Sequence, residues 1–140
     1  MPEEIHEGGC VCGAVRYRCT GAPQAVIHCF CTDCQRTSGG RMSTNAVYPA
    51  SAVSLTAGSP RALRTRGDSG GTVRRVFRGD CGSPLISEPE VMPDVSIVKV
   101  GTFDDPSPMT PTASIYTASA PPWAVIPDGL PAFPGMPPAA

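Results

Sequence analysis

Hydrophobic and polar positions alternate along this chain in short runs. In Ala14-Val15-Arg16-Tyr17-Arg18-Cys19, Val15, Tyr17 and Cys19 share one side and Arg16 and Arg18 the other, the period of two that marks a half-buried strand. Cys19 thus sits on the apolar face and reads as a core thiol. Ala25-Val26-Ile27-His28 is a short apolar strand running straight into Cys29. His28 then faces away from Cys29, which points to a core or supporting role rather than ligation. Strands are also predicted over 42–48, 52–56, 85–87, 95–100 and 112–118, with Val95, Ile97 and Lys99 on one face of the 95–100 run. Segments 63–66 and 72–77 form a hairpin across Gly67-Asp68-Ser69-Gly70-Gly71. A brief helical turn is expected after Cys34, where Gly39-Gly40 stop it. Residues 1–9 are polar, end in Gly8-Gly9 and read as a flexible approach.

Composition agrees with short strands. The chain holds 17 prolines and 15 glycines in 140 residues, which argues against long helices and for many turns. Its length suits one domain, 1–140, in which 104–140 is a Pro-rich extended segment packed on the body through Ala124-Val125-Ile126 and Phe133. Eleven basic residues against twelve acidic ones give a net charge of -1, so no nucleic-acid partner is expected. No apolar run approaches the roughly 20 residues of a membrane span. Met1-Pro2-Glu3-Glu4 does not read as an export signal, so a cytoplasmic setting with reduced thiols is expected. Nothing in the sequence sets the oligomeric state.

The cysteines change the picture. There are seven, and six lie in C-x-C, C-x-C-x-x-C or C-G contexts. In a reducing compartment such clusters are metal ligands or catalytic thiols. The spacings leave two groupings: Cys29, Cys31 and Cys34 from one stretch, and Cys10, Cys12 and Cys81 from distant ones. Zinc takes four ligands at a structural site, and three plus an open position at a catalytic one.

Three stretches carry a resemblance: Gly9-Cys10-Val11-Cys12-Gly13-Ala14-Val15-Arg16-Tyr17, then Cys29-Phe30-Cys31-Thr32-Asp33-Cys34-Gln35-Arg36, then Cys81-Gly82-Ser83-Pro84-Leu85. With Val98-Lys99-Val100-Gly101-Thr102-Phe103-Asp104-Asp105-Pro106 and Pro121-Pro122-Trp123, they resemble the glutathione-dependent formaldehyde-activating enzyme (GFA) family, or CENP-V/GFA domain. The resemblance implies a mainly β, Mss4-like fold of short antiparallel sheets stapled by one or two Zn²⁺ ions. It implies a structural zinc on Cys10, Cys12 and Cys81, and a catalytic zinc with an exchangeable position on Cys29, Cys31 and Cys34. The activity implied is that of a carbon-sulfur lyase of the S-hydroxymethylglutathione synthase type. Its partners would be a small thiol, glutathione or similar, and an aldehyde such as formaldehyde.

The pattern departs from the family at Arg78, which stands where the first cysteine of F-C-x-x-C-G belongs. An arginine has no lone pair to offer a metal. Asp80, His6 or a water is then the candidate fourth ligand of the first site. Arg36, Thr37, Ser38 and Gly39 follow the catalytic cluster and read either as substrate-binding residues lining its open position or as a structural turn. Trp123 reads as a packing anchor or as a substrate wall. Arg61, Arg64, Arg66, Arg74, Arg75 and Arg78 form either a solvated hairpin face or a carboxylate-binding array. Asp33 reads as a turn former, with a general-base role as the lesser alternative. The rival to an enzyme is a non-catalytic zinc-stabilised protein-interaction module; a metal-free thiol carrier is a third reading.

Overall fold

In the computed structural model, residues 3–67 and 70–137 are described. Asp68 and Ser69 of the expected hairpin loop, and Met1 and Pro2 of the N-terminus, lie outside them. The protein is mainly β. Its strands are β1 Ile5–Gly9, β2 Arg16–Thr20, β3 Ala25–Cys29, β4 Ser43–Pro49, β5 Val53–Ala57, β6 Arg61–Arg66, β7 Thr72–Phe77, β8 Pro84–Pro89, β9 Val95–Lys99 and β10 Ala113–Ile115. One sheet runs β1-β2-β5 and the other β10-β3-β4-β9-β8-β7-β6. Neighbouring strands are antiparallel except β10, which runs parallel to β3. Among the described residues no helix is long and apolar enough to cross a membrane.

The period-two reading of β2 holds. Val15, Tyr17 and Cys19 are fully buried, and burial pushes the Cys19 thiol up to about 12, so it stays neutral in the core. Together they pack against Ala46 and Tyr48 of β4, Ile86 of β8 and Val98 of β9. This core lies between the two sheets. Tyr17 is edge-on to Phe103, with ring centroids 5.6 Å apart, and its hydroxyl bonds Thr102 at 2.7 Å.

Residues 5–9 are a strand, not a flexible approach: β1 pairs with β2 from Ile5↔Thr20 to Gly9↔Arg16. The misleading residue is Gly8. It lacks a side chain because the Thr102 carbonyl and the Tyr17 ring occupy the space a Cβ would fill. The helix also begins earlier than expected. Helix α1 spans Thr32–Ser38 and so starts inside the cysteine cluster rather than after it. It stops where Gly39 takes a left-handed φ of 71° and its N–H reaches back to Gln35 O at 2.9 Å.

From residue 104 the chain is extended and partly zipped to the large sheet. β10 pairs with β3 at Ala113↔Ile27 and Ile115↔Cys29. The last described stretch then bonds β10, through Ser114 N–H to Pro131 O and Phe133 N–H to Ser114 O, each at 2.9 Å. Trp123 does not anchor it, being 71% exposed, and Val125 is also exposed.

Gly8→Ala is expected to lower unfolding free energy by about 1–3 kcal/mol, because overpacking against backbone cannot be relieved by a rotamer change. Urea denaturation with an unchanged m-value checks it; a loss under 0.5 kcal/mol means the β1–Thr102 approach is looser than described.

Candidate metal centre

The local sequence folds the second cysteine group into one knot. Cys29 ends β3, Cys31 is the N-cap of α1, and Cys34 is the third residue of that helix. The Cys31 sulfur accepts the Cys34 backbone N–H at 3.2 Å, taking the place that serine or aspartate oxygens usually hold at an N-cap. Gln35 fastens the knot by donating from Nε2 to Phe30 O at 2.8 Å and Ser119 O at 3.0 Å. The Phe30 N–H bonds Ile115 O of β10 at 3.0 Å. All three cysteines are buried, and their sulfurs lie within 4.8 Å of one another.

Sheet register decides what faces them. Cys29 and Ile27 of β3 point to the face opposite the core. On that face Ile27 stands against Asn45, and Asn45 against Lys99. The next row reads Val47, Ile97, Ser87, Arg75, each opposite the one before it. These rows floor a cavity of about 340 Å³ into which the cysteines, Asp33 of α1 and Tyr116 also open. Lys99 is a buried lysine in this floor, and its Nζ bonds Asn45 Oδ1 at 3.1 Å. Arg75 is fixed by Thr65 at 2.7 Å and Asp33 at 3.4 Å. The Ser87 Oγ is buried without a hydrogen-bond partner.

Within the trio, negative charge gathers on Cys34. Hydrogen bonds from Cys29 and Cys31 hold its thiol far below the ordinary value, against burial, and Lys99 and Ser43 add to the lowering. Cys29 goes far the other way, raised by its hydrogen bonds to Cys31 and Cys34 and by burial. Burial lowers Lys99, while the Cys34 charge opposes that shift.

The first cysteine group forms between the β1–β2 turn and the 78–83 turn. Cys10, Cys12 and Cys81 bring their sulfurs within 4.8 Å, with Cys10 and Cys12 3.5 Å apart. Sulfurs around a tetrahedral zinc, with bonds of about 2.3 Å, sit about 3.8 Å apart, so the spacing fits such an ion. Ser83 ties the two turns together. Its Oγ accepts the Val11 N–H at 3.0 Å and lies 3.4 Å from the Cys81 sulfur. Ser83, through its hydroxyl and backbone, holds the Cys81 thiol down to about 6. Sulfur-only donor sets suit zinc or another thiophilic ion, and both groups could hold a metal.

With this geometry in hand, comparison with known proteins is informative. The family model "Glutathione-dependent formaldehyde-activating enzyme" matches residues 5–119. The chain belongs to this family. A search of curated proteins finds no match. Among solved structures, a Rhodobacter sphaeroides protein superposes with a TM-score of 0.58 at 16% identity, over 91% of this chain and 98% of that one. At that identity the likeness speaks for the fold alone.

Other expected site residues are scattered. Asp80 is not in the first metal group: its side chain is 85% exposed and pairs with Arg78 at 2.9 Å. His6 is likewise absent from that group and contacts Glu4 at 3.3 Å. Arg36, Ser38 and Gly39 are exposed and none of them lines the 340 Å³ cavity; Thr37 and Ser38 line a neighbouring one together with Ser43 and Lys99. Ser38 instead bonds Met42 O at 2.9 Å, and Gly39 caps the helix. Trp123 lines none of the described cavities. His28 bonds Thr44 at 2.9 Å, off the cysteine face.

The hairpin arginines divide by strand alternation. Arg74 pairs with Glu88 at 2.7 Å and Arg64 with Glu90 at 3.5 Å, while Arg75 turns to the cavity. Lys99, Asn45 and Ser87 were not expected as site residues. One signal was available for Lys99: it shares a strand face with Val95 and Ile97, where an unpaired lysine has no reason to be.

Purified protein is expected to carry two metal ions per chain, and Cys34→Ser one. Elemental analysis on folded protein checks this; a Cys34→Ser variant that keeps both ions removes Cys34 from the second group.

Proposed function

We propose that this protein is a zinc-dependent carbon-sulfur lyase or adduct-forming enzyme that joins a small thiol to an aldehyde, and releases it in reverse. The observation that supports this most is the buried cysteine trio opening onto a cavity whose floor carries Lys99. The family's printed name speaks of glutathione and formaldehyde, which makes these the first substrates to test. Zinc on Cys29, Cys31 and Cys34 would hold the incoming thiol and lower its pKa, leaving a sulfur nucleophile at neutral pH.

The chain's own groups supply the rest. As the thiol sulfur attacks the carbonyl carbon, the C=O electron pair moves to oxygen. Lys99, steered by Asn45, is the buried donor on the cavity floor that can meet this oxyanion and hand it a proton, which solvent then returns. Arg75, held by Asp33 and Thr65, offers a fixed guanidinium to a carboxylate of the thiol. The group Cys10, Cys12 and Cys81 binds two distant turns and serves stability.

Exchange NMR of formaldehyde with glutathione tests the reading. Zinc-loaded protein is expected to speed adduct exchange, and Cys31→Ser to abolish the effect without loss of far-UV circular dichroism. Lys99→Met is expected to lower kcat by about 10²–10³, the loss seen when an oxyanion donor is removed. No acceleration with several aldehydes returns the protein to the class of zinc-stabilised interaction modules.

A further inference from the structure

The cavity beside the cysteine trio has two unlike ends. Beside the sulfurs its floor row is Ile27, Asn45 and Lys99, while the unpartnered Ser87 hydroxyl lies in the next row, opposite Ile97. Away from them it is walled by Val47, Val73, Pro89, Met92 and Ile97. Register makes this division. Val47 and Ile97 are one pleat step along β4 and β9 from Asn45 and Lys99, and Val73 and Pro89 are one step along β7 and β8 from Arg75 and Ser87. The volume of about 340 Å³ lies in the range of small-molecule pockets. Formaldehyde is comparable in size to one or two waters, whose share of liquid volume is about 30 Å³ each, and leaves most of that space unfilled. The charged ends of glutathione gain nothing from an aliphatic wall and lose hydration against it.

We propose that the adduct handled here carries an apolar substituent of about five to eight carbons beside the reacting C–S bond, lodged against this wall. The inference rests on the reading of the cysteine trio as the reacting centre, and it narrows the substrate class. The substituent comes either from an alkyl aldehyde or from an alkyl thiol. In both cases the sulfur and oxygen lie at the polar end, and the chain runs along the Val47–Ile97 row. Each methylene buried there is worth about fourfold in affinity.

The test has a binding arm and a turnover arm, both on zinc-loaded full-length protein. By calorimetry, S-hexylglutathione is expected to bind at least tenfold tighter than S-methylglutathione. Ile97→Gln, and separately Val73→Gln on another strand, are expected to shrink that ratio at least threefold. Equal binding of the two thioethers overturns the inference, whatever the turnover shows. In the turnover arm, glutathione with hexanal and hexane-1-thiol with formaldehyde are each compared with glutathione and formaldehyde. A gain in kcat/KM of tenfold or more in the first pair assigns the substituent to the aldehyde, and in the second to the thiol. Glutathione and formaldehyde turning over faster than both overturns the inference and leaves the enzyme reading standing. Tight binding of S-hexylglutathione with no turnover in any pair keeps the cavity assignment and ends the catalytic reading.

Discussion

Three sulfurs crowded within 4.8 Å in a buried site cannot all carry charge unless positive charge is brought among them. That constraint shapes the functional half of this molecule. The trio Cys29, Cys31 and Cys34 sits where a strand end meets a helix start, so backbone N–H groups and a divalent ion can share the load. Lys99 contributes from the sheet floor, at a burial that would be costly without an opposing charge nearby. Lysine and cysteines thus keep each other in place. The cavity exists because the strand row that presents Lys99 continues past it with aliphatic residues.

The two cysteine groups answer different needs. The first joins turns some 70 residues apart in sequence, and Ser83 reinforces it from the later turn. In a chain this rich in proline and glycine, with only one short α-helix among the described residues, a metal held there would clasp the two turns together. The second group is held from behind by Gln35 and by β10, so its geometry is fixed before any ligand arrives.

Arg78 illustrates how one substitution redistributes roles. It stands three residues before Cys81, beside the first sulfur group, and its guanidinium is engaged by Asp80. Its Nε is buried without a partner, so the side chain is not simply a solvated surface group. The first site is therefore left with three sulfurs from the chain and the neighbouring Ser83 hydroxyl. Counting sulfurs does not distinguish the two groups; burial does, since Cys12 is exposed while every member of the second trio is buried.

The sequence by itself determined much of the fold. Alternation located β2 and β9, since a half-buried strand must alternate to satisfy both faces; a short apolar run located β3, and a glycine-rich loop between two runs located the β6–β7 hairpin. Cysteine spacing located the second trio and the Cys10–Cys12 pair, because ligands two or three residues apart meet within one turn; the place of Cys81 beside that pair was implied by the family resemblance. It did not determine which polar residues would join the second trio. Arg36, Ser38 and Gly39 are neighbours of Cys34 along the chain, but none of them lines the cavity onto which Cys34 opens. Lys99, Asn45, Ser87 and Arg75 come from four strands, and only the pairing register of the sheet sets them on the face that Cys29 occupies. Register is a property of strand against strand, invisible to any local window, and a slip of one residue would have turned every one of these side chains to the core.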